Sequence, residues 1–157
     1  MQLYIKQRVF SWTDSYDVYD ENGDRRYFVK AEFLALGHQI HVCDAAGEVG
    51  AIHQRLFRLL PEFAISIGGR EVGSVRREFS LLRPRYEVDY FGWEVEGDFL
   101  GWDYDVTDRN GRTAAHISRQ LFSWGDAYVI DIADPADELP GLMLVIAIDA
   151  ANCSQNR

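Results

Sequence analysis

One stretch near the end of the chain limits its fold more than any other. From Leu139 to Ala151 it reads Leu-Pro-Gly-Leu-Met-Leu-Val-Ile-Ala-Ile-Asp-Ala-Ala, with Asp149 as its single charge. A helix with no polar face must be buried on every side, in protein or in lipid. Thirteen residues at about 1.5 Å each reach roughly 20 Å, whereas a bilayer core needs about 20 apolar residues. The stretch is therefore expected to be a helix over 139–151 that is wrapped by the rest of the chain and does not cross a membrane. Asp134-Pro135 and Asp137-Glu138 supply capping acids just ahead of it. Pro140 fits only in its first turn. Asp149, flanked by apolar residues near the helix end, is expected to be hydrogen-bonded at the mouth of the surrounding structure, to backbone amides or an arginine.

What wraps the helix is a repeat. Phe10, Phe33, Phe57, Phe79, Phe99 and Phe122 recur every 20 to 24 residues. Four or five residues before each stands Ile5, Val29, Ile52, Val75, Val95 or Ile117. After each comes an alternating run such as Tyr16-x-Val18, Ile40-x-Val42 or Tyr128-x-Ile130-x-Ile132. Alternation of β-branched and aromatic residues predicts strands. Turn signals sit between the runs: Asn22-Gly23, Ala46-Gly47, Gly68-Gly69 and Asn110-Gly111, with only Gly92 in the shorter fourth unit. The predicted strands are 3–10, 15–20, 26–33, 38–44, 49–57, 62–67, 71–80, 85–90, 93–99, 103–108, 113–123 and 127–134. Phe10-Ser11-Trp12-Thr13-Asp14 returns as Phe122-Ser123-Trp124-Gly125-Asp126, a likeness best explained by shared ancestry of the units.

Twelve strands in one open sheet would leave two long edges and two faces to cover, and closure removes the edges. A barrel of that size is too wide for its own side chains, which fill about eight strands. The terminal helix is the only spare element, and it is apolar all round. The expected fold is an all-β, twelve-stranded up-and-down closed barrel around a central hydrophobic C-terminal helix, in a single domain over 1–157.

The same residues carry a family likeness. Tyr4-Ile5-Lys6-Gln7-Arg8-Val9-Phe10, Tyr19-Asp20-Glu21-Asn22-Gly23, Glu94-Val95-Glu96-Gly97-Asp98-Phe99, Trp124-Gly125-Asp126 and Val145-Ile146-Ala147-Ile148-Asp149 together resemble the LURP-one-related family over roughly residues 2–151. Its fold is similar to the tubby C-terminal domain and the phospholipid scramblases. The resemblance implies the barrel and central helix, but no activity. Tubby-like relatives bind phosphoinositide headgroups; this chain does not match their lysine-bearing loops, so no binding residue carries over.

The net charge of −9 opposes nucleic-acid binding. Cys43 and Cys153 are too few for a disulfide framework. The opening Met1-Gln2-Leu3-Tyr4-Ile5-Lys6 contains no apolar signal region, and a cytoplasmic location is expected. No catalytic signature emerges, so the chain is read as a non-enzyme without cofactors. His38, His41, His53 and His116 are scattered over three strands, and His41-x-Cys43 lacks the second half of a zinc site. Carboxylate pairs such as Asp103/Asp105 and Glu94/Glu96 read as solvent faces of strands. The acids Asp131, Asp134 and Asp137 are the fallback candidates for a cation, with helix capping the better explanation. The densest basic group contains Arg76, Arg83 and Arg85, candidates for an anion because arginine forks suit phosphate or carboxylate. The preferred alternative is that each pairs with an acid such as Glu78, Glu87 or Asp89. The functional expectation is a non-catalytic binding or interaction module, its partner a protein or an anionic lipid headgroup. The competing reading is an anionic-lipid or membrane-surface binder, against which the negative charge weighs.

Overall fold

The computed structural model describes residues 1–6, 15–34, 37–123 and 125–154. Twelve strands run through the described residues. They are β1 (Gln2–Ile5), β2 (Ser15–Asp20), β3 (Arg25–Leu34), β4 (Gly37–Asp44), β5 (Gly47–Gln54) and β6 (Glu62–Ile67). There follow β7 (Arg70–Glu78), β8 (Arg85–Tyr90), β9 (Glu94–Asp98), β10 (Asp103–Thr107), β11 (Thr113–Phe122) and β12 (Gly125–Ile132). A short 3-10 turn, Pro135–Asp137, leads into one helix, α1 (Glu138–Cys153). The repeated Trp-x-Asp segments lie in part outside the described residues.

Every ladder is antiparallel, and chain neighbours pair throughout with one exception. The first and last strands close the sheet on itself: Leu3 lies opposite Ile130 and Ile5 opposite Tyr128. β8 and β9 share no ladder and stand at the two ends of the strand order. The barrel is therefore nearly closed, with one seam between β8 and β9, and closure removes fewer edges than the sequence led us to expect. The seam falls in the short fourth unit.

Alternation sends Leu3, Ile5, Val18, Val29, Val42, Ile52, Ile65, Val75, Val106, Ile117 and Ile130 inward, all at most 1% exposed. They meet α1, in which Gly141 to Asn152 are buried without a break. A contiguous buried run, rather than one buried stripe, is the signature of a helix enclosed on all sides. Gly50 on β5 makes room for this helix: a Cβ there would come within 2.6 Å of the Met143 Sδ. Gly50→Ala is expected to cost about 1–3 kcal/mol of stability by overpacking. In denaturant titrations, combining it with Met143→Ala should cost less than the sum of the two, because the new methyl enters the vacated space. Strict additivity would show that the two residues do not share this space.

The helix start is held as the acids suggested, by different members of the group. Asp134 Oδ1 accepts from the Ala136 amide at 3.0 Å and caps the 3-10 turn. Asp137 makes no side-chain cap to α1. Glu138 accepts two bonds from the Arg26 guanidinium, each 2.9 Å, and is also bonded by the Tyr27 hydroxyl. Pro140 sits in the first turn, and its carbonyl accepts from the buried Tyr90 hydroxyl at 2.7 Å.

Several strands stop earlier than expected, β5 and β7 among them, and residues 7–10 of the expected first strand lie outside the described residues. β5 ends at Gln54 rather than 57, and β7 at Glu78 rather than 80. Phe57 takes a left-handed backbone, φ 60°, which breaks extended pairing. Phe57 and Phe79 therefore leave the barrel wall and enter loops.

Candidate binding site at the loop end and seam

The barrel has two unlike ends. At one, strands join through tight polar turns. Asp20 Oδ1 accepts from the amides of Asn22 and Asp24, and Asp108 Oδ1 from those of Asn110 and Arg112. At the other, longer connections follow β5, β7 and β9. They carry Phe57, Leu59, Phe79, Leu81, Leu82 and Leu100, all exposed. Phe57 and Leu59 are fully so, and Leu82 is 94% exposed. Leu121, near the end of β11, stands exposed toward the same end. Phe91 is the exposed large apolar residue in the described turns of the opposite end. Large apolar side chains gathered on one surface mark a contact with a partner or a membrane.

These tips belong to a motif the strand reading passed over. Phe57-Arg58-Leu59-Leu60-Pro61 and Phe79-Ser80-Leu81-Leu82-Arg83-Pro84 share Phe-x-Leu-Leu before a proline. An amphipathic strand needs polar alternation that neither stretch has, and the proline stops continuation. That was the available signal for an exposed apolar loop.

Basic residues crowd the same end. Arg55 pairs with Glu71 at 2.8 Å, and Arg58 with Glu62 at 3.1 Å. Arg76 on β7 points outward and pairs with Glu87 on β8. Arg83, in the loop, and Arg85, at the start of β8, have no carboxylate within ion-pair distance among the described residues. The structure thus separates Arg76 from Arg83 and Arg85. Arg83 and Arg85 line a cleft of about 780 Å³ together with Phe79, Leu81 and Leu82. The cleft's far wall is the β9 edge, Val95, Glu96 and Gly97. Arg77, which the sequence reading left out of its candidates, borders a second hollow beside Ser154, just past α1. A cation there complements the negative end of the helix dipole.

The floor of the cleft is a buried polar knot. Tyr86 on β8 donates to Asn152 Oδ1, and Asn152 Nδ2 donates to the Phe99 carbonyl beyond β9 at 3.0 Å. One helix residue thus ties together the two strands that do not tie to each other. Asp149, one turn back, is 7% exposed. Burial drives its carboxyl well above the usual carboxylate range, against the opposing pull of a hydrogen bond from Trp102. The expected burial and hydrogen bonding are present, but the partner is an indole rather than an amide or arginine.

The remaining candidates lie apart. Asp131 faces out from β12, opposite His116, whereas Asp134 caps the turn. His116 Nδ1 is 2.7 Å from Asp105, and His41 is bracketed by Glu32 and Glu48. Among the described residues, no group of three His, Cys, Asp or Glu could hold a metal ion. No described helix is long and apolar enough to cross a membrane.

The LURP-one-related family model matches residues 1–149. This chain belongs to that family. It is 32% identical over 151 residues to the uncharacterized protein YxjI of Bacillus subtilis (strain 168), covering 95% of this chain and 92% of YxjI. Its fold is similar to the X-ray structure of an Arabidopsis thaliana protein, with a TM-score of 0.65 over 96% of this chain and 90% of that one. At 16% identity that likeness speaks for the tubby-like barrel alone. The Phe-x-Leu-Leu loops and the seam are exposed features of this chain among the described residues.

Proposed function

We propose that this LURP-one-related protein is a non-catalytic binding module that docks end-on to anionic membrane surfaces through its Phe-x-Leu-Leu loops. One observation carries the reading: Phe57, Leu59, Phe79, Leu81 and Leu82 stand exposed at a single barrel end, beside arginines without acid partners. Burying a Phe or Leu side chain is worth about 1.5–3 kcal/mol, and each arginine near an anionic surface adds about 1 kcal/mol. Several tips inserting together outweigh the cost of immobilising the protein. The net charge of −9 belongs to the whole chain, and contact at one end depends on the charges nearest the tips. Arg58, Arg76, Arg77, Arg83 and Arg85 gather toward the loop end, and Arg77, Arg83 and Arg85 have no carboxylate within ion-pair distance among the described residues. Unpaired arginines beside the apolar tips favour contact with a negative surface.

Sedimentation with phosphatidylglycerol vesicles tests the reading. Binding should exceed that to phosphatidylcholine vesicles and fall as salt shortens the screening length toward about 3 Å at 1 M. Leu59→Ser/Leu81→Ser/Leu82→Ser should weaken it at least tenfold with an unchanged thermal transition, since these side chains are almost wholly exposed. Arg83→Gln/Arg85→Gln should remove the preference for anionic lipid. Absence of vesicle binding, or binding that survives both sets of substitutions, would eliminate the proposal.

A further inference from the structure

The seam interrupts a register that its turn would set. β8 and β9 are joined by Phe91-Gly92, with φ 53° and 71°, and the Trp93 amide donates to the Tyr90 carbonyl at 2.9 Å. A two-residue turn of this kind ordinarily sets its flanking strands in register. Continued outward, that register would put Asp89 opposite Glu94 and Glu87 opposite Glu96. Like charges directly opposite weaken a strand pair without forbidding it, since β9 and β10 pair with Glu96 opposite Asp105 and Asp98 opposite Asp103. The ladder is absent, and the strands part from the turn toward the cleft between Arg85-Tyr86 and Val95-Glu96-Gly97. Each facing edge presents main-chain N–H and C=O groups with no ladder partner.

We infer that this seam takes up an extended polypeptide strand whose outward side chains are basic. Main-chain groups on both edges call for an occupant with main-chain groups of its own, as in strand addition to an open sheet edge. Charge selects its outward side. Asp89, Glu94 and Glu96 have no cationic partner within ion-pair distance among the described residues, and only Glu87 is engaged, by Arg76. The acidity continues onto β10, where Asp105 lies opposite Glu96 and Asp103 opposite Asp98. Burial selects the inward side: Val88 and Val95 are half-buried against the core and Tyr86 is buried. The fitting segment alternates lysine or arginine with an apolar residue. Inserted, it supplies the positive charge that Asp89, Glu94 and Glu96 lack. This inference rests on the strand edges; Arg83 and Arg85 border the cleft at its loop end, so the occupant's basic side chains lie toward Asp89, Glu94 and Glu96, nearer the turn.

The probe is an acetylated, amidated Lys-Val-Lys-Val-Lys-Val peptide, titrated by calorimetry into the full chain. Saturable one-to-one binding is expected. The Glu-Val counterpart should bind at least tenfold more weakly. So should the Lys-Val peptide N-methylated at alternate residues, which keeps its charge but loses one row of donors. Asp89→Asn/Glu94→Gln/Glu96→Gln should weaken binding at least tenfold while keeping a cooperative thermal transition, since it relieves repulsion. Equal binding of the N-methylated peptide would reduce the effect to charge attraction and overturn the inference. So would undiminished binding by the triple variant, or no saturable binding. Self-association of the chain that the triple variant abolishes would name a second copy as the occupant and overturn it equally.

Discussion

A chain that stops at Glu138 will show no cooperative thermal transition. The truncation removes Leu142, Met143, Leu144, Ile146 and Ile148, each at most 2% exposed, from the centre of a twelve-stranded barrel. Shortening even one such side chain to alanine costs about 2–5 kcal/mol. A domain of this size has about 5–15 kcal/mol in total, so the loss of the whole row exceeds the stability available. The strands cannot collapse inward to compensate, since a barrel this wide is beyond what its own side chains fill. Ile146→Asp should act in the same direction within the full-length chain, because it places an unpaired carboxylate where no partner or water reaches it. Leu81→Ser and Leu82→Ser, in the exposed loop, should leave the transition where it is, which separates loss of the core from general intolerance to substitution. A soluble truncated chain that melts cooperatively near the temperature of the full chain would refute the account.

The helix and the strands were legible because both signals are local. Val18, Val29, Val42 and Val75 alternate with polar neighbours, and no arrangement but a strand hides them on one face. The run Leu142 to Ile148 has no polar side, and only enclosure satisfies it. The seam was not legible in the same way. Asp89 and Glu94 are each ordinary solvent-facing strand residues, and a ladder missing beyond the Phe91-Gly92 turn leaves no mark on their alternation. The repeat itself misled at Phe57 and Phe79. Their spacing matched Phe99, which is buried, and nothing in the period distinguishes a phenylalanine that turns inward from one that the Leu-Leu loop carries out. The arginines divide on side-chain contact rather than register: Arg76 pairs with Glu87 across the β7–β8 ladder, whereas Arg85 stands opposite Glu78 without an ion pair and Arg83 lies in the loop. The partner of Asp149 lay furthest from view. Trp102 reaches the helix end from the connection before β10 with a left-handed backbone, φ 55°, a placement that forty-odd intervening residues do not announce.

That buried carboxyl leads to the second expected result: Asp149→Asn will gain on the parent chain as pH rises. Asp149 is enclosed by groups that keep its environment apolar or neutral. The Tyr16, Tyr86 and Tyr104 hydroxyls, from β2, β8 and β10, are themselves held above their usual range by burial first and by this carboxyl next, save at Tyr86, where Arg77 acts in the opposite direction before it. The Cys153 thiol lies near Tyr16 and Tyr86 on the same side, and the Trp102 indole supplies the hydrogen bond. Burial raises the native carboxyl well above its ordinary value, while in the unfolded chain it titrates near about 3.9. Above that pH the unfolded chain releases the proton and the native chain keeps it, so the native state binds more protons. Stability contributed by this group is then fully present below about pH 4 and declines as pH rises toward the native pKa, by about 1.4 kcal/mol per pH unit. Asparagine cannot titrate, and its carbonyl can still accept from Trp102. The difference in unfolding free energy between Asp149→Asn and the parent should therefore be small near pH 4 and grow in favour of the variant through neutral pH. All other titrating groups are common to both chains and cancel in the difference. Urea titrations at half-unit pH intervals measure it, and parallel curves for the two chains across that range would show that Asp149 is ionised in the folded barrel.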